Sequence, residues 1–337
     1  MENFTYFNPT QIDFGIGKEQ LIGQHLAEHG IKKVLLCYGS ERIKRDGLFN
    51  TVHQSLSDQG IDLVECGGIV SNPVISKVRD AVALALDSAK AIAAGVRYEG
   101  DVWDLFIGKA PIPSALPVFA ILTLAATGSE MNAYAVVTNE DTKEKLFIGS
   151  PDTFPKVSIL NPALMQGVSR DYLAYSAADV IAHVIEVYFT ASTQPKLLSR
   201  LAESLLHTVI ETTETLQDDP TDHAARGEFA WAATLAQNGL TFSGACGFSY
   251  PNHAIEHALS ALFKVPHGAG LSVVIPAWMK WYHSRNSAQF ERFAQNMFGL
   301  STAEQGIAAL EAWFNKIGTP TRLAQLQIKE SDLPAIV

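Results

Sequence analysis

Two helix-spaced pairs of metal-capable side chains mark this chain: Asp179-Val-Ile-Ala-His183 and His253-Ala-Ile-Glu-His257, with a third histidine following in Val265-Pro-His267-Gly268. An α-helix turns once in about 3.6 residues, so positions i and i+4 project from one face about 6 Å apart along the axis, within reach of one ion. Imidazole and carboxylate together suit Fe(II), Zn(II), Mn(II) or Co(II), whereas a purely structural zinc is more often held by thiolates. Taken singly, each pair reads as a histidine with a polar neighbour. Asp179 and His183, however, lie in Ala-Ala-Asp-Val-Ile-Ala-His-Val-Ile, where a charged group among small apolar residues needs a partner to offset its desolvation. A catalytic divalent cation is the expected partner.

The elements that must position these side chains differ between the two halves. Before about residue 160, compact apolar runs such as Lys33-Val-Leu-Leu-Cys-Tyr38 and Val118-Phe-Ala-Ile-Leu-Thr-Leu124 are bounded by glycine and followed by helix-forming sequence. This pattern predicts an α/β domain over 1–162, with a parallel sheet and helices on its faces. From about residue 163 it changes to long amphipathic segments at 172–189, 196–216, 224–239, 253–263, 287–298 and 302–316, punctuated by Asp218-Asp-Pro-Thr-Asp222 and Gly318-Thr-Pro320. An all-helical domain over 163–337 follows, and it carries every metal-capable residue named above.

Composition narrows the function. With 337 residues, 47% of them apolar and 18% charged, the chain can bury a sizeable core. A formal charge of −10 and no Lys/Arg cluster argue against nucleic acid and against an anionic membrane surface as partners. The first residues show neither the basic nor the apolar region of a signal peptide. Cys37, Cys66 and Cys246 are odd in number and far apart, so a reduced, cytoplasmic protein is expected, as a homodimer on the base rate for soluble enzymes.

The stretch Thr123-Leu-Ala-Ala-Thr-Gly-Ser-Glu-Met-Asn132, then Asp179-x-x-x-His183, then His253-x-x-x-His257 with His267 ten residues later, resembles the iron-containing (group III) alcohol dehydrogenases. It is most like their NADP-dependent butanol dehydrogenase and aldehyde reductase branch. The resemblance implies an N-terminal dinucleotide-binding domain, an all-α metal-binding domain and a cleft between them. It also implies metal ligands Asp179, His183, His253 and His267, with His257 beside the nicotinamide and substrate as the catalytic proton relay. Gly39, Ser40, Arg42, Asn72, Asp87, Thr123, Thr127, Ser129 and Lys145 match positions around the dinucleotide. The implied activity is reversible hydride transfer between NADP(H) and a primary alcohol or its aldehyde. The metal is Fe(II) or Zn(II), with Mn(II), Co(II) and Ni(II) as further candidates.

NADP is expected over NAD because relatives that prefer NAD place an acid where this chain has Gly39. Gly39 and Ser40 leave room, and Arg42, Lys44 or Arg45 could pair with a 2′-phosphate. Two rival readings belong beside this one. His253-Ala-Ile-Glu256-His257 also fits H-x-x-E-H, the inverted zincin pattern of metallopeptidases, but that reading leaves Asp179, His183 and His267 unexplained. A glycerol dehydrogenase or a dehydroquinate synthase-like lyase would use a similar metal and cleft with different substrate-fixing residues.

One departure from the family pattern matters. Relatives carry a Gly-Gly-Gly-Ser turn, whose backbone N–H groups cradle the pyrophosphate, directly before the motif written here as Leu86-Asp-Ser-Ala-Lys-Ala-Ile-Ala93. This sequence passes into that motif straight from Val78-Arg-Asp-Ala-Val-Ala-Leu84. A helix end, a buried strand and the turn are missing, on the order of fifteen residues, about the size of a parallel crossover. Either the deletion is genuine and weakens cofactor binding, or the natural chain is longer than this sequence. The cost of excising a central strand favours the second reading, and an intact-protein mass agreeing with 36.6 kDa would overturn it.

Overall fold

The computed structural model describes residues 1–68, 72–81 and 86–336. The chain divides into two compact units, one of Asn8–Thr123 with Ser129–Met165, the other of Gln166–Val337 with Met1–Phe7 and Leu124–Gly128.

The first unit is α/β. Its strands are β1 (Gln11–Phe14), β2 (Lys33–Cys37), β3 (Asp62–Cys66), β4 (Phe119–Ile121), β5 (Tyr134–Asn139), β6 (Glu144–Gly149) and β7 (Val157–Leu160). Its helices are α1 (Ile22–Glu28), α2 (Arg42–Arg45), α3 (Leu48–Asp58), α4 (Ile75–Ala81), α5 (Leu86–Gly95) and α6 (Trp103–Phe106). The parallel pairing expected from the apolar runs is present as two ladders, β1-β7-β4 and β2-β3. Both ladders pack on one hydrophobic cluster, in which Leu26, Val52 and Leu56 of α1 and α3 meet Val34, Leu36 and Leu63 of one ladder and Phe119, Val157 and Ile159 of the other.

Parallel strands are normally covered on both faces. Here Leu35 and Val64, on the opposite face of β2 and β3 from that cluster, stay 41% and 43% exposed. Among the described residues no strand joins the two ladders. The junction between Leu84 and Leu86 falls at 82–85, outside the described residues.

The sequence pattern did not separate out the antiparallel hairpin β5-β6, paired in register from Tyr134 with Gly149 to Asn139 with Glu144. Its entry is held by Lys90 of α5, a fully buried ammonium. The Lys90 Nζ donates to Ser129 O and Oγ at 2.6 and 2.8 Å, to Asn132 O and Oδ1 at 2.9 and 3.3 Å, and to Tyr134 O at 2.9 Å. Burial pulls this lysine down to about 8, and the nearby carboxylates of Asp87 and Glu130 oppose the shift, so the group is charged at neutral pH.

The second unit is helical: α7 (Arg170–Thr190), α8 (Lys196–Asp218), α9 (His223–Ala236), α10 (Pro251–Phe263), α11 (His267–Tyr282), α12 (Ser287–Phe298) and α13 (Ala303–Ile317). Six of these match segments legible as amphipathic periods. The seventh, α11, is not, because Gly268, Gly270 and Pro276 interrupt it and almost all of its first thirteen residues are buried, which erases the polar face that a period requires. No helix among the described residues is long and apolar enough to cross a membrane.

Replacing Lys90 with Ala should leave several buried acceptors without a donor and cost about 3 kcal/mol or more of the α/β unit's stability. Urea unfolding followed by circular dichroism measures this, and an unshifted midpoint would show that the ammonium holds nothing.

Candidate metal centre

Helix α7 starts at a Ser169 cap whose side chain accepts from Tyr172 N at 3.3 Å. It places Asp179 and His183 one turn apart in a helix buried on nearly every face. Helix α10 begins with Pro251 in its first turn, where a missing N–H costs nothing, and presents His253 and His257. Helix α11 opens on His267.

These elements bring the four expected ligands together. The Nε2 atoms of His183, His253 and His267 each lie 3.6 Å from the same Oδ1 of Asp179. Ligand bonds of about 2.1 Å in a tetrahedral site put donor atoms about 3.4 Å apart, so the spacing is that of a coordination shell. Asp179 Oδ1 and His253 Nε2 are buried without a hydrogen-bond partner. Such orphaned atoms are costly unless a cation meets them. The residues therefore fit a divalent metal.

The other ring nitrogens are fixed from behind. His253 Nδ1 donates to Glu186, whose Oε1 accepts from Asn252 N at 2.5 Å and His253 N at 3.3 Å. His267 Nδ1 donates to Glu256, which also accepts from Ser260 Oγ. Both glutamates are fully buried. A carboxylate on Nδ1 sets the tautomer that turns the Nε2 lone pair toward the metal and makes the imidazole a stronger ligand.

Sequence reasoning missed Glu186 altogether and read Glu256 only as a peptidase base. The signal for Glu186 was present: it lies seven residues after Asp179 and three after His183, a second acid in an apolar helix. Glu256, buried and committed to His267, is not available to activate water, which removes the structural basis of the metallopeptidase reading.

Electrostatics in this cluster balance around the ion position. Burial pushes the Asp179 carboxyl up, but the three imidazoles outweigh it and hold the acid well below its ordinary value. Burial lowers His183 to about 3, which keeps its imidazole neutral. For His253, burial is overcome by Glu186 and Asp179, which raise the imidazole to about 10. That affinity for a proton is an affinity for positive charge at the same nitrogen, and a metal competes for it.

Two glycines permit the approach of the helices. A Cβ at Gly268 would sit 1.9 Å from the Tyr175 carbonyl oxygen of α7, and one at Gly270 would lie 2.8 Å from Glu256 Cγ. His257 is half-buried beside the cluster, its ring centroid 5.8 Å from that of His267 and 6.3 Å from that of His253.

The dinucleotide candidates are distributed as follows. Gly39, Ser40 and Arg42 follow β2, and Arg42 pairs with Asp46 at 3.4 Å. Asp87 and Ser129 meet each other: Ser129 Oγ donates to Asp87 Oδ1 at 2.5 Å, and Asp87 Oδ2 accepts from Val136 N at 3.1 Å. Both carboxylate oxygens of Asp87 thus serve the internal network around Lys90. Lys145 is buried on β6 opposite Thr138, Asn72 is half-buried just before α4, and Thr123 follows β4. Thr127 belongs to the helical unit.

Profiles of two families match in tandem: iron-containing alcohol dehydrogenase over residues 9–162, and the C-terminal domain of the Fe-containing alcohol dehydrogenase family over 173–337. The chain is 39% identical over 360 residues to a probable NADH-dependent butanol dehydrogenase of Bacillus subtilis, covering 100% of this chain and 92% of that one. It is 29% identical over 362 residues to the NADPH-dependent aldehyde reductase YqhD of Escherichia coli, covering 100% and 92%. Both aligned spans exceed the 337 residues of this chain, so these relatives carry internal residues that it lacks. The crystal structure of NADH-dependent butanol dehydrogenase A from Thermotoga maritima superposes with a TM-score of 0.97 at 44% identity, covering 100% of this chain and 89% of that one.

Fold and site together define a metal-dependent oxidoreductase that uses a nicotinamide cofactor. The chain belongs to the iron-containing alcohol dehydrogenase family.

Substituting Glu186 with Gln removes the charge behind His253 while keeping the side-chain volume. Metal affinity should fall about 10- to 100-fold, read by competition with a chromogenic chelator. Unchanged affinity would show that Glu186 serves only the fold.

Proposed function

We propose that the protein reduces aldehydes to primary alcohols, reversibly, with NADH as hydride donor and Fe(II) at the Asp179, His183, His253 and His267 site. The observation that carries this reading is the convergence of three Nε2 atoms on one carboxylate oxygen at 3.6 Å. When bound, the cation supplies Lewis-acid polarisation of the substrate oxygen, and the dihydronicotinamide supplies the hydride. Three imidazoles and one carboxylate leave a coordination position for that oxygen. Zn(II), Mn(II), Co(II) and Ni(II) suit the same donors, and availability decides among them.

The remaining work falls to side chains. Reduction of a carbonyl consumes one proton along with the hydride, and His257 stands beside the metal-binding imidazoles without being one of them. It gives the proton during reduction and takes it during oxidation, directly or through water. Glu186 and Glu256 keep His253 and His267 aimed while charge develops on the substrate oxygen. The 1–162 domain binds the dinucleotide, and the 163–337 domain holds metal and substrate.

NADH is proposed in place of the expected NADP. The NADP expectation drew on Arg42, Lys44 and Arg45 after β2, and carboxylates engage two of the three: Lys44 contacts Glu65 at 3.0 Å and Glu41 at 3.4 Å, and Arg42 is paired with Asp46. The Bacillus subtilis and Thermotoga maritima relatives named as NADH-dependent are also more similar to this chain than YqhD is. A cytoplasmic homodimer completes the proposal, the compartment read from three cysteines that form no disulfide and the dimer from the base rate for soluble enzymes.

An aldehyde panel with NADH and NADPH, before and after chelation and metal restoration, tests the reading. Turnover should vanish with the chelator and return with Fe(II) or Zn(II). His257→Ala should slow turnover about 100-fold while metal content holds. Loss of the metal in that variant would instead make His257 a ligand, and failure to oxidise either nicotinamide with any aldehyde would end the proposal.

A further inference from the structure

Strand β2 ends at Cys37 and runs into Tyr38, Gly39, Ser40 and the short helix α2, at the carboxyl end of a parallel ladder. In doubly wound sheets the adenosine ribose is read near this position, where a 2′-OH or a 2′-phosphate distinguishes the two dinucleotides. The charges there are balanced by number: Arg42, Lys44 and Arg45 stand against Glu41, Asp46 and, from the neighbouring strand, Glu65. Their pairing is not symmetrical. Lys44 has four neighbours: Glu65 at 3.0 Å, Glu41 at 3.4 Å, and the rings of Tyr38 and Phe49 at 5.2 and 5.0 Å from its ammonium.

We infer that Glu65 is a specificity-determining residue for the dinucleotide: by holding Lys44 it favours NADH and opposes NADPH. The inference rests on the nicotinamide-linked activity proposed above. A 2′-phosphate carries up to about two negative charges and requires a cation to meet it. To offer Lys44, the protein must part it from Glu65 and leave that carboxylate facing the phosphate beside Glu41. A 2′-hydroxyl imposes no such cost and can donate to either carboxylate.

The ion pair is half-exposed and contributes little by itself to stability. Selectivity is a difference, however, and one carboxylate enters it twice, withdrawing the cation and repelling the anion. Tyr38 keeps Glu65 in place. Its hydroxyl donates to Glu65 Oε2 at 3.0 Å, and its ring is buried. Tyr38 and Glu65, then Glu41, hold Lys44 above its ordinary value, while Lys44 and Tyr38 hold Glu65 below its own.

Glu65→Gln keeps an acceptor for Tyr38 and removes the charge, which isolates the electrostatic effect. The test measures kcat/KM for NADH and NADPH with one aldehyde, alongside fluorescence titration of both dinucleotides, on the wild type, Glu65→Gln, Lys44→Ala and the double variant. Wild type should prefer NADH. Glu65→Gln should raise the NADPH-to-NADH ratio about tenfold, the scale of one charge-assisted contact, through binding and KM with kcat little changed. The double variant should lose that gain. A Glu65→Gln ratio equal to wild type, with an unchanged melting temperature, would overturn the inference, as would a gain that survives removal of Lys44. Absence of turnover counts against the proposed activity alone, because the titration still reads the preference. Absence of binding by both dinucleotides defeats both.

Discussion

A single carboxylate oxygen, Asp179 Oδ1, is the point on which the helical unit depends. Three imidazoles from three helices reach it at the same distance, and two further buried carboxylates, Glu186 and Glu256, stand behind two of those rings. Gathering three acids in an apolar interior is costly unless positive charge is gathered with them. The ion pairs formed by these acids all involve imidazole. Histidines that carry protons could offset the charge, but only by giving up the lone pairs that face inward. A divalent cation balances the charge and keeps the lone pairs, which is why the cluster is intelligible as a metal site and not as an ion-pair network.

That requirement reaches outward into the packing. Helix α7 must be buried almost all round so that Asp179 and His183 escape water. Helix α11 must begin hard against α7, and only a residue without a side chain fits at 268, where a methyl group would overlap the Tyr175 carbonyl. Room for the Glu256 side chain is made in the same way at 270. The small and apolar residues around the ligands are consequences of the site as much as of the core.

Much of this was legible in the sequence. Helix periods identified six of the seven long helices, and i, i+4 spacing drew attention to the Asp179/His183 and His253/His257 pairs, because both depend on a local repeat. What stayed hidden depended on three-dimensional context. Glu186 looks like one more acid until its partner His253, 67 residues away, is seen behind it. Glu256 lies in a motif with a competing meaning that only its buried contact to His267 removes. Asp87 and Ser129 were read as cofactor contacts, yet their side chains bond to each other and serve Lys90. Lys44 of α2, expected among the cations open to a phosphate, is paired with Glu65 of β3. Charge type was readable, whereas charge pairing was not.

The same distinction governs what the shortened α/β unit can be expected to lose. All four proposed metal ligands, both glutamates behind them and both enabling glycines belong to the helical unit, so the proposed coordination shell draws on nothing in the stretch before Leu86 where relatives carry the glycine turn. The α/β unit bears that loss alone. It retains β1-β7-β4 and β2-β3 on a shared core, and with them the Tyr38, Lys44 and Glu65 cluster after β2. It lacks the glycine turn whose N–H groups would hold a pyrophosphate. Under the proposed function, metal binding and recognition of the ribose would therefore be separable from pyrophosphate affinity in this chain. A weakened cofactor complex with an intact metal centre is the physical signature of a true deletion, whereas tight binding of both requires the missing strand and turn to be present in the natural protein.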